Sequence, residues 1–464
     1  MIGSEGQGHP PTDALGLETA EMRRLGYWVV DRVVEHFEHG AEGPAIQISS
    51  AAELRAALGG PVPEVPGNPL EAMQTLVDVG LANMQHGDHP RYFARVPGPS
   101  SYAGVLGEWL GTGFNAIASS WTGGSGPATV ELVALEWLRE LLGLPEGTEG
   151  VLLSGGSMSN MTALASARQA VGPGVAYISD QTHASIRRAL LTLGFPADDV
   201  RVLPSDERLR LTATAVGEAV HEDRRRGLCP RFIVATAGTT NTGAVDDLEG
   251  LAEVGRAEDL WLHVDGAYGA PAALCPAGRA ALGGLEQADS LVLDPHKWLF
   301  VPIDIGCLFV RRPGILAGAF GMRPEYLADV QADGAEVNFG DRSPELTRRS
   351  RALKLWLLLR VYGAERLRVA IAHGLALAEY AQHRLESSAG WEVITPAQLG
   401  IVTFTRSGWS AEDHGARVAA LSATGYATLT STRLQKRPAL RLCTINPRTT
   451  ESDIDRTLQR LTSG

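Results

Sequence analysis

SLVLDPHKWLF, residues Ser290 to Phe300, sets an apolar run directly before an acid, a proline, an imidazole and a lysine, and closes on three bulky apolar residues. Lys297 is either an ordinary charge at the mouth of a strand or an amine held in a dry place to react. The surrounding sequence repeats the same punctuation. VLL precedes Ser154-Gly155-Gly156-Ser157, VAYI precedes SDQTHAS, RFIVAT precedes AGTTNTGAVDD, and LWLH precedes VDGAYGA, with VRVL and IGCLFV as further apolar runs. Helical stretches such as SNMTALASARQAV, HASIRRALLTL, TAVGEAVHEDRRR and LEGLAEVGRAE lie between them. Strand–helix alternation with short connections predicts an α/β fold with a mostly parallel sheet covered on both faces. Ligands collect beyond the carboxyl ends of such strands, so the residues after each run are the candidates for chemistry.

Outside this region the pattern changes. MIGSEGQGHPPTDALG lacks a basic start and an apolar run, which argues for a flexible tail and against a signal peptide. In ETAEMRRLGYWVVDRVVEHFEHG, Met22, Leu25, Trp28, Val29, Val33 and Phe37 share one helical face, and AAELRAALG and PLEAMQTLVDVGLANMQ read as two more helices. Past the long amphipathic stretch ALKLWLLLRVYGAERLRVAIAHGLALAEYAQHRL come strands WEVI, GIVTFTR and ALRLCTI and a last helix, TESDIDRTLQRL, as expected of a small α+β domain. The expected division is a tail and helical arm over 1–100, a large domain over 101–353 and a small domain over 354–464.

Composition narrows the classes. The 464 residues are 44% hydrophobic and 20% charged, ordinary for a globular protein, and the 53 glycines and 26 prolines imply many tight turns. A formal net charge of −12 argues against a nucleic-acid backbone as partner. The cysteines, Cys229, Cys275, Cys307 and Cys443, have no paired spacing, so neither a metal site nor a disulfide framework is expected and a reducing cytoplasm is. No stretch approaches a membrane span.

Each strand-end group has a bland reading beside a chemical one. The glycine turn at Gly155 and Gly156 could cradle a phosphate on helix N–H groups, or be a tight turn with Ser157 as N-cap. His183 could be a surface or capping histidine, and Thr239 and Thr240 belong to a common kind of small-residue loop. Asp265, ending a strongly apolar strand, needs a cationic or hydrogen-bonding partner, or is a surface acid or cap. Lys297 could be a structural ion pair, or a snorkelling side chain. Together they make one inventory at one sheet edge. A desolvated lysine becomes a nucleophile able to form a Schiff base, a carboxylate keeps a pyridine nitrogen protonated, and an imidazole can stack on such a ring. That inventory fits pyridoxal 5′-phosphate.

At this point the chain resembles the group II pyridoxal-phosphate-dependent decarboxylases, whose familiar members are the aromatic-L-amino-acid decarboxylases. The resemblance runs in order through MRRLGYWVVDRVVEHFE, HPRYFARVPGPSSYAGVLGEWL, GPATVELVALEWLRELLGLP, GVLLSGGSMSNMTALASAR, YISDQTHASIRRA, VATAGTTNTGAVDDL, LWLHVDGAYGA, DPHKWLF and RALKLWLLLRVYGAERLR. It implies a fold-type I enzyme with Lys297 as the cofactor's covalent anchor, Asp265 on the pyridine nitrogen, His183 stacked on the ring and Ala267 packed on its other side. It implies a phosphate site at Gly156 and Ser157 with Asp294 and His296 nearby, and Thr240 near cofactor and substrate. Gly98, in VPGPSSY, falls in the substrate-contacting loop. Tyr326, in RPEYLADV, falls where decarboxylases carry a mobile-loop tyrosine that protonates carbon after carbon dioxide leaves, whereas aldehyde-forming relatives carry phenylalanine.

The pattern also departs from the animal enzymes. Asp294 stands where they have asparagine, and a second anion beside a phosphate is unfavourable unless turned away or hydrogen-bonded. SSWTGGSGP, read as a loop, is one residue longer, Arg95 enters a segment that is aromatic there, and Thr347 stands where relatives differing in indole or phenol preference carry glycine or serine. The expected reaction is decarboxylation of an L-amino acid to the amine, with an aromatic substrate implied by the resemblance alone. A non-aromatic substrate, a decarboxylation-dependent aldehyde synthase and a silent binding paralogue are the alternatives; Lys297, Asp265 and His183 together argue against the last. The resemblance further implies a homodimer that uses the helical arm.

Overall fold

All seven apolar runs become strands of one sheet in the computed structural model, which describes residues 15–322 and 336–463. They are β1 (Glu149–Leu153), β2 (Val175–Ser179), β3 (Val200–Leu203), β4 (Pro230–Thr236), β5 (Trp261–Asp265), β6 (Ser290–Leu293) and β7 (Gly306–Val310). Their order is β1-β7-β6-β5-β4-β2-β3. The strands β3, β2, β4, β5 and β6 run parallel, as the alternation predicts, and β7 is antiparallel to both of its neighbours, β6 and β1. Six of the seven, all but β3, are buried along nearly their whole length, which is why they read as continuous apolar runs.

The reversed strand decides where the site can form. Because β7 turns back beside β6, the Asp294–Ile305 connection never leaves the carboxyl edge of the sheet. Because β1 is antiparallel to β7 in turn, β1 points the same way as β6, and Leu153 pairs with Gly306 while Leu293 pairs with Cys307. The glycine turn after β1 and the lysine segment after β6 therefore flank the same two residues. Gly306 is what lets them meet: a Cβ there would stand 2.6 Å from the Gly155 Cα.

Helices Gly156–Val171, Ala184–Thr192, Ala213–Arg225 and Leu248–Ala257 follow β1, β2, β3 and β4 and pack their apolar faces into the sheet's core. Helix Trp121–Leu142 precedes β1; SSWTGGSGP, expected as a loop, forms its start, capped by Ser120 and broken at Gly124 before Pro127 opens the regular part. The buried carboxylate of Glu131 in this helix accepts from Arg348 Nη2 at 2.8 Å and from the Leu152 N–H at 2.9 Å, tying β1 to the segment after residue 336.

A second sheet, antiparallel throughout, has the order β10-β11-β9-β8, with β8 Trp391–Gln398, β9 Ile401–Arg406, β10 Thr430–Leu434 and β11 Arg437–Cys443. β10 escapes the sequence pattern because TSTRL is a polar edge strand with one buried residue. Helix Ala352–Glu386 serves both cores: Leu355, Leu358, Leu367 and Ile371 belong to the large one, and Leu377, Ala381 and Leu385 to the small one. The expected boundary at 353/354 falls at the start of this helix, and the cores exchange further along it. The arm helix Thr19–His39 has no buried residue, and Met22, Tyr27 and Val29 are 52%, 67% and 38% exposed. His36 Nε2 and Asp88 Oδ2, 2.6 Å apart, hold it to the body. Among the described residues, no helix is long and apolar enough to cross a membrane.

Candidate active site

A cavity of about 310 Å³ opens at the carboxyl ends of β1, β4, β5 and β6. Its walls include Gly156, Ser157, His183, Thr240, Asp265, Ala267, Asp294, His296 and Lys297, so nine of the residues singled out from sequence converge on one space.

The glycine turn supplies the first wall. Helix Gly156–Val171 begins with Gly155 at φ +149°, a conformation favouring glycine, and no side chain caps its first N–H groups. Ser157 lies inside the first turn, so the reading of Ser157 as N-cap is not met. A Cβ on Gly156 would sit 2.7 Å from Asp294 Oδ2 and 3.2 Å from Ala267 Cβ, so only a bare backbone fits between these walls.

Asp265 ends β5 and is 4% exposed. Its Oδ1 accepts the Ala267 N–H at 3.1 Å and its Oδ2 accepts Asn160 Nδ2 at 3.0 Å. These donors replace the water lost on burial. His183 is the N-cap of helix Ala184–Thr192, with Nδ1 accepting the Ser185 N–H at 3.3 Å, and it lines the cavity.

Lys297 follows β6 in a single helical turn, Pro295–Trp298. Sequence suggested a dry amine; the side chain instead keeps 27% exposure, and Nζ is ion-paired with Asp294 Oδ2 at 2.8 Å. The reason is its position on the cavity wall, one residue above the apolar floor. Trp298, Leu299 and Phe300 are buried, and Trp298 stacks on Tyr268 with centroids 6.0 Å apart. The chain has three lysines. Lys354 is buried against Glu108 at 2.7 Å and Lys436 lies in the β10–β11 turn, so Lys297 is the lysine that faces this cavity.

Asp294 is 1% exposed; its Oδ2 holds Lys297, and its Oδ1 has no hydrogen-bond partner among the described residues. His296 Nδ1 donates to the Ile305 carbonyl at 2.6 Å, and its Nε2 stands 3.7 Å from Asp294. Burial lowers the His296 pKa against the opposing pull of Asp294, which favours a neutral ring. Thr236 and Tyr268 also line the cavity, and Thr236 Oγ1 and Tyr268 Oη are buried with no hydrogen-bond partner among the described residues. Burial raises the Tyr268 pKa well above its usual value, so its hydroxyl stays a donor.

Two predicted residues do not line the cavity within one chain. Gly98 packs behind it, where a Cβ would lie 3.0 Å from the His296 carbonyl oxygen, and Thr347 is exposed beside the buried Arg348. Tyr326 lies outside the described residues. Sequence reasoning passed over Asn160, Ser185, Thr236 and Tyr268. Asn160 had a signal: it occupies the i position of the face completed by Ala163, Leu164 and Ala167, a polar residue on an apolar stripe.

The residues fit pyridoxal phosphate. An uncapped helix start, the carboxylate of Asp265 and the amine of Lys297 surround a space shaped by glycine. A sheet of this topology with a lysine after one strand and a carboxylate at the end of its neighbour defines a fold-type I pyridoxal-phosphate enzyme. Comparison with known proteins gives the family. Residues 62–407 match the model of the pyridoxal-dependent decarboxylase conserved domain, and the chain belongs to that family. It is 42% identical over 456 residues to an aromatic-L-amino-acid decarboxylase from Bacillus atrophaeus, covering 96% of this chain and 95% of that one. A tyrosine decarboxylase from Oryza sativa subsp. japonica is 35% identical, with 84% and 78% covered. The crystal structure of Oryza sativa TDC with PLP and tryptamine superposes with a TM-score of 0.91 at 26% identity, covering 96% of this chain and 97% of that one. The protein is a pyridoxal-phosphate-dependent amino-acid decarboxylase.

Proposed function

We propose that this enzyme decarboxylates an aromatic L-amino acid to its amine, with Lys297, Asp265 and His183 as the groups that act on the cofactor. The observation that carries the assignment is their convergence on one cavity beside an uncapped glycine turn. Bound pyridoxal phosphate supplies an electron sink for the pair left when carbon dioxide departs. Lys297 is the amine that would hold the cofactor, and Asp294, 2.8 Å from its Nζ, would pair with that amine when it is free. Asp265 holds a proton on the ring nitrogen, where a charged acceptor is worth most in a site shielded from water. Gly156 and Ser157 present N–H groups to the phosphate, with His296 closing that end. His183 and Ala267 would bound the ring, and Thr240 would stand near cofactor and substrate, all three lining the same cavity. Orientation by these walls supplies much of the rate.

Tyr326 delivers the proton to the substrate carbon, and Gly98 and Thr347 belong to the segments that select the side chain. A second copy of the chain completes the pocket. Ser157, His183 and Thr240 remain exposed within one chain, and the arm helix offers an apolar face with nothing buried against it. The four free cysteines suit work in a reducing cytoplasm.

Carbon dioxide release from a panel of tyrosine, tryptophan, phenylalanine and non-aromatic amino acids tests the substrate class. Turnover confined to glutamate or another non-aromatic acid would contradict it. Tyr326→Phe is expected to divert product from amine to aldehyde, with ammonia and peroxide appearing. An unchanged amine yield would remove Tyr326 from the role of proton donor.

A further inference from the structure

Behind Asp265 lies a chain of buried polar groups that runs the length of β5. Period-two alternation puts Trp261, His263 and Asp265 on one face of the strand, and His263 is in register with Ser290 on β6. Trp261 Nε1 donates to Ser290 Oγ at 2.9 Å, Ser290 Oγ and His263 Nδ1 are 2.8 Å apart, and His263 Nε2 and Asn160 Oδ1 are 3.0 Å apart. Asn160 Nδ2 then reaches Asp265 Oδ2 at 3.0 Å and Ser185 Oγ at 3.2 Å, and Ser185 Oγ is 2.8 Å from His183 Nδ1. Trp261, His263, Ser290 and Asn160 are 2%, 0%, 1% and 1% exposed, so no solvent competes for these bonds.

Donor and acceptor rules give this chain one direction. A carboxylate only accepts, so the Asn160 amide must turn its NH₂ to Asp265 and its oxygen to His263. His263 Nε2 then carries the proton. Its Nδ1 is left to accept from the Ser290 hydroxyl, whose oxygen accepts in turn from the indole, which can only donate. Burial lowers the His263 pKa to about 4, against the opposing charge of Asp265, so the ring is neutral at physiological pH. At the other end, Ser185 accepts from Asn160 and passes its own proton to His183 Nδ1. That nitrogen already accepts the Ser185 N–H, so the His183 proton sits on Nε2.

We propose that Asn160 is a positioning residue that serves both cofactor partners at once, fixing Asp265 as a charged acceptor and His183 as the Nε2–H tautomer, with Trp261–Ser290–His263 holding its amide in the working orientation. Asn160 borders the cavity and His263 stands one link behind it; both act through the groups they hold. Supporting partners of this kind typically contribute about 10–100-fold to a site's function. The inference rests on Asp265 being the partner of the cofactor's ring nitrogen, and the test separates the two.

The test uses holoenzyme loaded with pyridoxal phosphate carrying nitrogen-15 in the ring, whose chemical shift reads protonation directly. The wild type keeps the ring nitrogen protonated. Asn160→Ala releases that proton about tenfold more readily and lowers kcat about 10–100-fold with little change in KM. His263→Leu breaks the chain one link back and behaves alike, keeping the test available should Asn160→Ala fail to fold. His263→Gln, which can still donate to the Asn160 oxygen, recovers most of the signal. Ser185→Ala lowers kcat without moving the nitrogen signal, because it cuts only the branch to His183. Wild-type nitrogen titration in both Asn160→Ala and His263→Leu would overturn the proposal. An unchanged signal in Asp265→Ala would instead overturn the underlying assignment of Asp265.

Discussion

Asp265 and Asp294 stand at the ends of adjacent parallel strands, at 4% and 1% exposure, and their burial is compensated in opposite ways. Asp265 takes neutral donors on both oxygens, the Ala267 N–H and the Asn160 amide, and has no cation within bonding distance among the described residues. Asp294 takes a cation on one oxygen, Lys297 at 2.8 Å, and nothing among the described residues on the other. The first arrangement holds the carboxylate between fixed neutral donors. The second ties a charge to an amine that must leave it to react. A third buried acid, Asp246, lies outside the cavity and, like Asp265, takes a neutral donor on each oxygen. It accepts the Leu211 N–H at 2.6 Å and the Thr236 N–H at 2.7 Å, yet burial outweighs both bonds and raises its pKa to about 7.

Substitution at the three acids separates these behaviours. Asp265→Ala should cost the most, about 10²–10³-fold in kcat, the usual loss when an electrostatic partner of the reacting group is removed. A loss below tenfold in steady-state assays would erase the distinction from Asp294. Asp294→Asn should cost about tenfold or less in kcat and tighten cofactor binding several-fold, because it removes an anion from beside the phosphate while keeping an acceptor for Lys297. Weaker binding in a cofactor titration would mean that Asp294 supports the phosphate. Asp246 should report in stability and not in rate. Its folded pKa is raised, so its favourable contribution is complete below about pH 4 and is lost as pH rises through about 7. Asp246→Asn should flatten that part of the melting-temperature profile. It should also lower the melting temperature in acid by roughly a few degrees, since one amide oxygen replaces two acceptors.

The same comparison explains what was legible in the sequence. Asp265 and Asp294 were found because each ends an apolar run, and the rule that ligands gather at strand ends needs only the runs. Lys297, His183 and the glycine turn were found by the same rule. The partners that distinguish the two acids were not. Asn160 lies more than a hundred positions before Asp265, and its signal, one amide on an apolar helix face, is shared by many structural asparagines. The reversal of β7 was equally invisible, because GCLFV reads the same in either direction; yet that reversal brings Gly155 and Lys297 to one edge. β10 was missed because an edge strand need not be apolar, and the start of helix Trp121–Leu142 was read as a loop because Gly124 and Pro127 interrupt its pattern. The arm face was legible as a stripe, but not what it packs against.

The account rests on Lys297 being the cofactor's anchor, and the chain's three lysines make that unusually direct to test. Holoenzyme reduced with borohydride and digested should carry the cofactor's added mass on the peptide containing Lys297, and Lys297→Ala should lose both the label and turnover by about four orders of magnitude or more. Label on Lys354 or Lys436, or an active Lys297→Ala enzyme, would contradict it.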